Sequence, residues 1–129
     1  AAPTINVAAV RSGADRRTAL MVRNIPPSYT RDDVYAEFAA FHHVIDFVHV
    51  VTHRATGANR GFGFVHLVAP AHVASFYTAF NGRTWARTPP SDRRRCALSY
   101  ATHADKHALV RNVMEREAKA RSANDADDG

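Results

Sequence analysis

Cysteine is almost missing from this sequence. Cys96 is the only one among 129 residues, which excludes an internal disulfide and an all-cysteine zinc cage and fits a reducing compartment. Lysine is nearly as scarce, since only Lys106 and Lys119 stand among the 17 basic residues. No uncharged apolar stretch approaches the roughly 18 residues of a membrane span, so no membrane partner is expected. No charged, apolar and small-residue leader opens the chain, and Pro3 follows close behind Ala1, so nucleus and/or cytoplasm is expected and secretion is not. There is no nucleophile elbow, phosphate-cradling glycine loop or paired acidic site, and no catalytic residue is assigned. His42-His43 and His103/His107 invite a metal reading. They have no cysteine nearby, no His-Glu-x-x-His and no matched carboxylates, so neither a metal nor a cofactor is expected. The chain is not read as an enzyme.

What is present is a compact, basic composition. The length sets a one-domain prior, and 46% hydrophobic with 22% charged residues is globular. The formal net charge is +5, but Asp125, Asp127 and Asp128 lie in the last eight residues, which carry no base. Residues 1–121 therefore hold 17 basic against 9 acidic residues, a net of +8. Such a balance attracts polyanions such as nucleic acid. Fifteen of the bases are arginine, which offers a planar fork for phosphate and a flat face for stacking. Compositional bias toward arginine and alanine is the competing explanation.

Residues 1–15 show no sustained period and read as a flexible lead-in. Ala19 to Ile25 is a β-prone run stopped by Pro26-Pro27. Thr30 fits a helix N-cap with Asp33 three residues on, and Val34, Phe38 and Phe41 form one apolar stripe. Val44–Val51 and Arg60–Val68 read as strands around a turn-rich connection. Pro70 suits the first turn of a second helix carrying Val73, Phe76, Tyr77 and Phe80, closed by Asn81-Gly82. A polar loop with Arg93-Arg94-Arg95 leads to a fourth strand, Cys96–Ala101. The order β-α-β-β-α-β is an α+β, ferredoxin-like pattern: a four-stranded antiparallel sheet with two helices on one face. The domain spans residues 16–102. Residues 103–121 form a further helix with Leu109, Val110, Val113 and Met114 as its apolar stripe, and 122–129 form an acidic disordered tail. The lead-in and tail suggest a monomeric domain cut from a larger regulator.

The chemistry concentrates in Arg60-Gly61-Phe62-Gly63-Phe64-Val65-His66-Leu67. This octamer resembles that of the RNA-recognition motif at every position but the last. Strand alternation sends Val65 and Leu67 toward the helices and Arg60, Phe62, Phe64 and His66 to the other face. Two phenylalanines on an open face are costly without a use, and they can stack successive unpaired bases while Arg60 meets a phosphate or base. Gly61 and Gly63 fall on the helix-facing side, where small residues let helices approach. The companion hexamer is Leu20-Met21-Val22-Arg23-Asn24-Ile25, placing Met21 and Arg23 on the open face. Methionine stacks less well than an aromatic ring, so this strand offers a weaker base platform.

A narrower resemblance follows. Asp15-Arg16-Arg17-Thr18, the hexamer with Pro26, Tyr29-Thr30, Asp46-Phe47, Phe76-Tyr77-x-x-Phe80-Asn81-Gly82-x-x-Trp85 and Cys96-x-Leu98-x-Tyr100-Ala101 resemble the C-terminal RNA-recognition motif of the Mei-two-like family over about residues 15–114. Met at the hexamer's second position is shared with that family. Pro27-Ser28 and the Arg60-Gly61-Phe62 start of the octamer depart from its usual pattern. The resemblance implies an RNA-binding regulator that acts on transcripts.

The candidate RNA-binding set is therefore Met21, Arg23, His49, Arg60, Phe62, Phe64 and His66. His49 and His66 either contact RNA or are solvated surface histidines. Trp85 is either a structural plug or a rim stacker, and Tyr100 either packs on the last helix or stacks a base. Arg93-Arg94-Arg95 either holds phosphates or an import receptor, or is a solvated loop. Two functions remain open. One is a single-stranded RNA-binding module of a post-transcriptional regulator. The other is a protein-interaction module whose sheet face is covered by the C-terminal helix or a partner protein.

Overall fold

The computed structural model describes residues 3–102 and 106–128, with side chains through Lys119. Eight elements follow in chain order: α1 (Val7–Arg11), β1 (Ala19–Arg23), α2 (Arg31–Glu37), β2 (Ile45–Thr52), β3 (Asn59–Leu67), α3 (Val73–Phe80), β4 (Ala97–Tyr100) and α4 (Lys106–Asp128). Short 3-10 turns, Ala39–Val44 and Pro70–His72, lead into β2 and α3. The strands form one antiparallel sheet in the order β2-β3-β1-β4, the ferredoxin-like arrangement the pattern predicts.

Alternation builds the two faces. Leu20 and Val22 of β1, Val48 and Val50 of β2, Val65 and Leu67 of β3, and Leu98 and Tyr100 of β4 are buried on one side with Val34 of α2, Phe38 at its C-cap, and Phe76 and Phe80 of α3. Phe38 meets Phe76 and Phe80 edge-on, with ring centroids 5.0 and 4.8 Å apart. Phe41 from the adjoining 3-10 turn closes on the same pair. Such edge contacts suit the ring quadrupole. Thr30 caps α2 as its spacing predicts: its Oγ1 accepts from the Asp33 N–H, and the Asp33 carboxylate accepts from the Thr30 N–H at 2.9 Å.

Both ends of the chain differ from expectation. The lead-in is ordered: Asn6 caps α1 through an N–H of Ala9 at 3.1 Å, and Ile5 and Val10 enter the main core beside α3. The Tyr100 N–H also donates to the Pro3 carbonyl at 2.6 Å. A five-residue helix has no stability of its own, and only this burial orders it, so no period in the sequence could announce it. At the other end α4 starts at Lys106 and its backbone continues to Asp128, through most of the segment that composition reads as disordered. Between Lys106 and Asp128 there is no proline or glycine, so nothing stops propagation once the helix is seated. The expected helix start, at residue 103, lies outside the described residues.

Trp85 is a plug. It is buried and edge-on to Tyr29, centroids 5.3 Å apart. Tyr100 neither meets α4 nor faces outward. It lies in register with Leu20 on the core side, and the Arg17 guanidinium carbon stands 3.9 Å from its ring centroid.

Candidate nucleic-acid interface

The second face of the sheet carries the candidate residues. Register places Met21 opposite Phe64 and Ser99, Arg23 opposite Phe62 and Ala97, and His49 opposite Phe64. Phe62 and Phe64 meet edge-on, centroids 6.2 Å apart at 89°. The strands thus bring Met21, Arg23, His49, Phe62 and Phe64 onto one continuous surface.

That surface is not open along its length. Leu109 of α4, fully buried, packs with Ala19, Phe64 and Ala101, and Phe64 is only 8% exposed. Val113, one turn on, is also buried, and it lines a small cavity with Phe64 and His49. Polar groups of α4 also approach the sheet, one at its first residue and one midway along it. Lys106 Nζ donates to Asp46 Oδ2 at 3.1 Å, and Glu117 Oε1 lies 3.8 Å from His49 Nδ1. Phe62 is half-buried, packed against the edge of this cluster, and its register partner Arg23 is exposed.

His66 departs from both expectations for it. It is 8% exposed, with Nδ1 2.6 Å from Asp46 Oδ1 and Nε2 2.7 Å from Thr18 Oγ1. An ionised carboxylate only accepts, so Nδ1 donates to Asp46, while Nε2 shares a hydrogen bond with the Thr18 hydroxyl. His66 is thus a buried, fully partnered residue and not a surface contact. Desolvation pushes the Asp46 carboxyl up, but hydrogen bonds from His66 and Lys106 outweigh it and hold the group below its ordinary value. Burial pushes His49 below its ordinary value. Glu117 opposes that shift, while Arg31 and Arg116 add to it.

Arg60 is exposed and set apart from Phe62 by Gly61, whose φ of +89° no strand residue with a side chain adopts easily. Gly63 serves a purpose other than the expected one. A Cβ there would stand 2.3 Å from the His49 carbonyl oxygen and 3.0 Å from Val50 Cα, so it is the β2 backbone that comes close, not a helix.

The residues that sequence reasoning did not place are Asp46, Lys106 and Glu117, the polar contacts of α4. The only advance signal was the i, i+4 spacing of Leu109 and Val113. Met114 of the same stripe is 62% exposed. His42 is committed to Tyr35, its ring stacked at 3.7 Å. His107 stands against Arg111, and His103 lies outside the described residues. Among the described residues no three metal-ligating side chains converge, and no helix is long and apolar enough to cross a membrane.

A four-stranded antiparallel sheet with this octamer on a central strand defines the class. Residues 17–114 match the family model for RNA recognition motif 2, and the chain belongs to that family. Its relatives include Protein MEI2-like 2 of Oryza sativa subsp. japonica, 34% identical over 102 residues, which is 78% of this chain and 12% of the rice protein. The chain thus spans about one-eighth of that relative's length. Among solved structures it is similar to Sex-lethal RNA recognition domains 1 and 2 from Drosophila melanogaster, at 27% identity and a TM-score of 0.55 over 65% of this chain and 49% of that one. It shares its fold with the Rna15 RRM with bound RNA (GU), at 14% identity and a TM-score of 0.58 over 75% of this chain and 96% of that one.

Proposed function

We propose that this chain is a single-stranded RNA-binding module of a post-transcriptional regulator, acting as a monomer in the nucleus and/or cytoplasm without catalysis. The observation that carries the reading is the pairing of Phe62 with Arg23 at the partly accessible end of the sheet, beside an edge-on Phe64. Phe62 takes the first base, Arg23 a neighbouring phosphate or base, and Phe64 a second base when α4 moves aside. RNA bound to the Rna15 RRM supports this reading. So does the relationship to MEI2-like proteins.

A protein-interaction module is favoured by one observation, the burial of Phe64 under Leu109. Titration of labelled single-stranded RNA by fluorescence anisotropy separates the two. If bases stack on the sheet, Phe62→Ala weakens binding by about 1–3 kcal/mol. Equal binding by wild type and variant sinks base stacking on the sheet and leaves only charge attraction, and no binding by either leaves the covered face as a protein site.

A further inference from the structure

We infer that the loop carrying Arg93 and Arg94, together with Arg60 at the start of β3, forms a groove that holds the phosphates of a single-stranded RNA as it leaves the Phe62 end of the sheet. The inference rests on the RNA-binding reading above and adds a second site to it.

The groove is built, and its builder is Asn24. This residue ends β1 in the left-handed region, at φ +65°, and its Nδ2 donates to the Arg95 carbonyl at 3.0 Å. Asparagine tolerates this conformation better than most residues with a side chain. The bond ties the loop before β4 to the end of the strand that carries Arg23. Arg95 Nη1 donates to the Gly82 carbonyl at 3.1 Å, so Arg95 serves the loop itself. Two adjoining concavities result, both lined by Asn24 and Arg94. One continues along Arg93 and the other along Arg60 and His53.

Charge in this groove is left uncompensated. Asp92 is the one carboxylate in either lining, and it binds Arg94 through Nη1 at 2.7 Å and the main-chain N–H at 2.9 Å. The side chains of Arg23, Arg60 and Arg93 are exposed and make no hydrogen bond or ion pair among the described residues. Like charges gathered this way repel one another and attract a polyanion. The occupant follows from continuity. Arg23 is the register partner of Phe62, and Asn24, next in the chain, lines both concavities, so the groove begins at the Phe62 end of the sheet, and a chain whose bases stack on Phe62 carries its backbone into it. An acidic peptide would meet the arginines but has no use for the aromatic ring.

Asp92 then acts as an internal competitor that Arg94 leaves when phosphate arrives. Three variants test the site in the full chain, with folding checked by circular dichroism: Arg93→Gln/Arg94→Gln, Asp92→Asn and Phe62→Ala. The probes are octauridylate and diuridylate, titrated over a salt series. The double arginine variant should lose several-fold affinity for octauridylate and flatten its log-log salt slope by about 0.7 per lost phosphate contact. Its diuridylate binding should not change, because that probe does not reach the loop. Asp92→Asn should tighten octauridylate. An unchanged slope in the double variant overturns the groove. Tighter binding of polyglutamate than of octauridylate overturns it in favour of an acidic protein partner. Loss of binding in Phe62→Ala with an unchanged arginine variant upholds the sheet and removes the groove. The reverse pattern upholds the groove and removes the stacking.

Discussion

Leu109 of α4 and Phe64 of β3 are buried against each other on the face of the sheet opposite the main core. The aromatic surface is thus split into a covered half at Phe64 and a half-buried, partly accessible half at Phe62. The cover is a helix held by two buried aliphatic side chains and the bond of Lys106 to Asp46, with Glu117 standing 3.8 Å from His49.

Shortening the aliphatic contacts should therefore loosen the cover. Leu109→Ala/Val113→Ala removes side chains whose separate truncation in a closed core would cost about 2–5 kcal/mol for the leucine. Here the loss falls on α4 alone, because the main core shares none of these contacts. The expected result is faster amide exchange in α4, little change in the protection of β1 and β3, and tighter single-stranded RNA binding. Uniform loss of protection across the sheet would show that α4 belongs to the cooperative core.

Acid should act in the same direction. His49 has its folded-state value lowered by burial beneath α4, with Glu117 opposing and Arg31 and Arg116 assisting. The uncovered or unfolded state therefore binds the proton more readily. The stability this contributes is present above the ordinary value of 6.5 and is lost as pH falls through the lower folded-state value. Asp46, also lowered, contributes a second loss below 3.8. Methyl NMR of Leu109 followed from neutral pH downward should show release in the first window, and His49→Asn should abolish that step.

Gly63→Ala should destabilise the domain by about 1–3 kcal/mol or more, because the new methyl would meet the β2 backbone, which has little room to move. Gly61→Ala meets nothing within 4 Å and costs only conformational strain at φ +89°. Thermal melts of the two variants measured together should rank Gly63→Ala as the more damaging.

Cys96 should be inert in the native protein. Burial pushes its thiol up to about 12, and the Glu37 carboxylate adds to the effect. Iodoacetamide labelling at neutral pH should be negligible until denaturant unfolds the chain. Prompt labelling of the native state would show that the end of β4 opens locally.

The strands and the Thr30 cap were legible because each is specified by neighbours within a few positions: alternating Leu20 and Val22, the octamer around Phe62, and Asp33 three residues after Thr30. What escaped the sequence depends on distant partners. His66 finds Thr18 48 positions away and Asp46 20 positions away, so alternation correctly predicted its face but not its burial. The stripe on α4 was visible, yet its resting place on Phe64 follows from tertiary packing that no period encodes. Val7–Arg11 is too short to carry a period, and only the fit of Ile5 and Val10 into the core makes it a helix.

The bond from the Tyr100 N–H to the Pro3 carbonyl reaches beyond the N-terminal segment itself. β4 lies at the margin of the sheet, where unpaired backbone groups offer a template for a foreign strand. The chain's own first residues occupy part of that margin, and proline, which has no N–H to donate, is a poor continuation point for a further strand. A domain trimmed to the boundary at Arg16 would keep every candidate RNA contact yet lose this guard, together with the Ile5 and Val10 packing. It should self-associate more readily than the longer chain, as size-exclusion chromatography of the two would show.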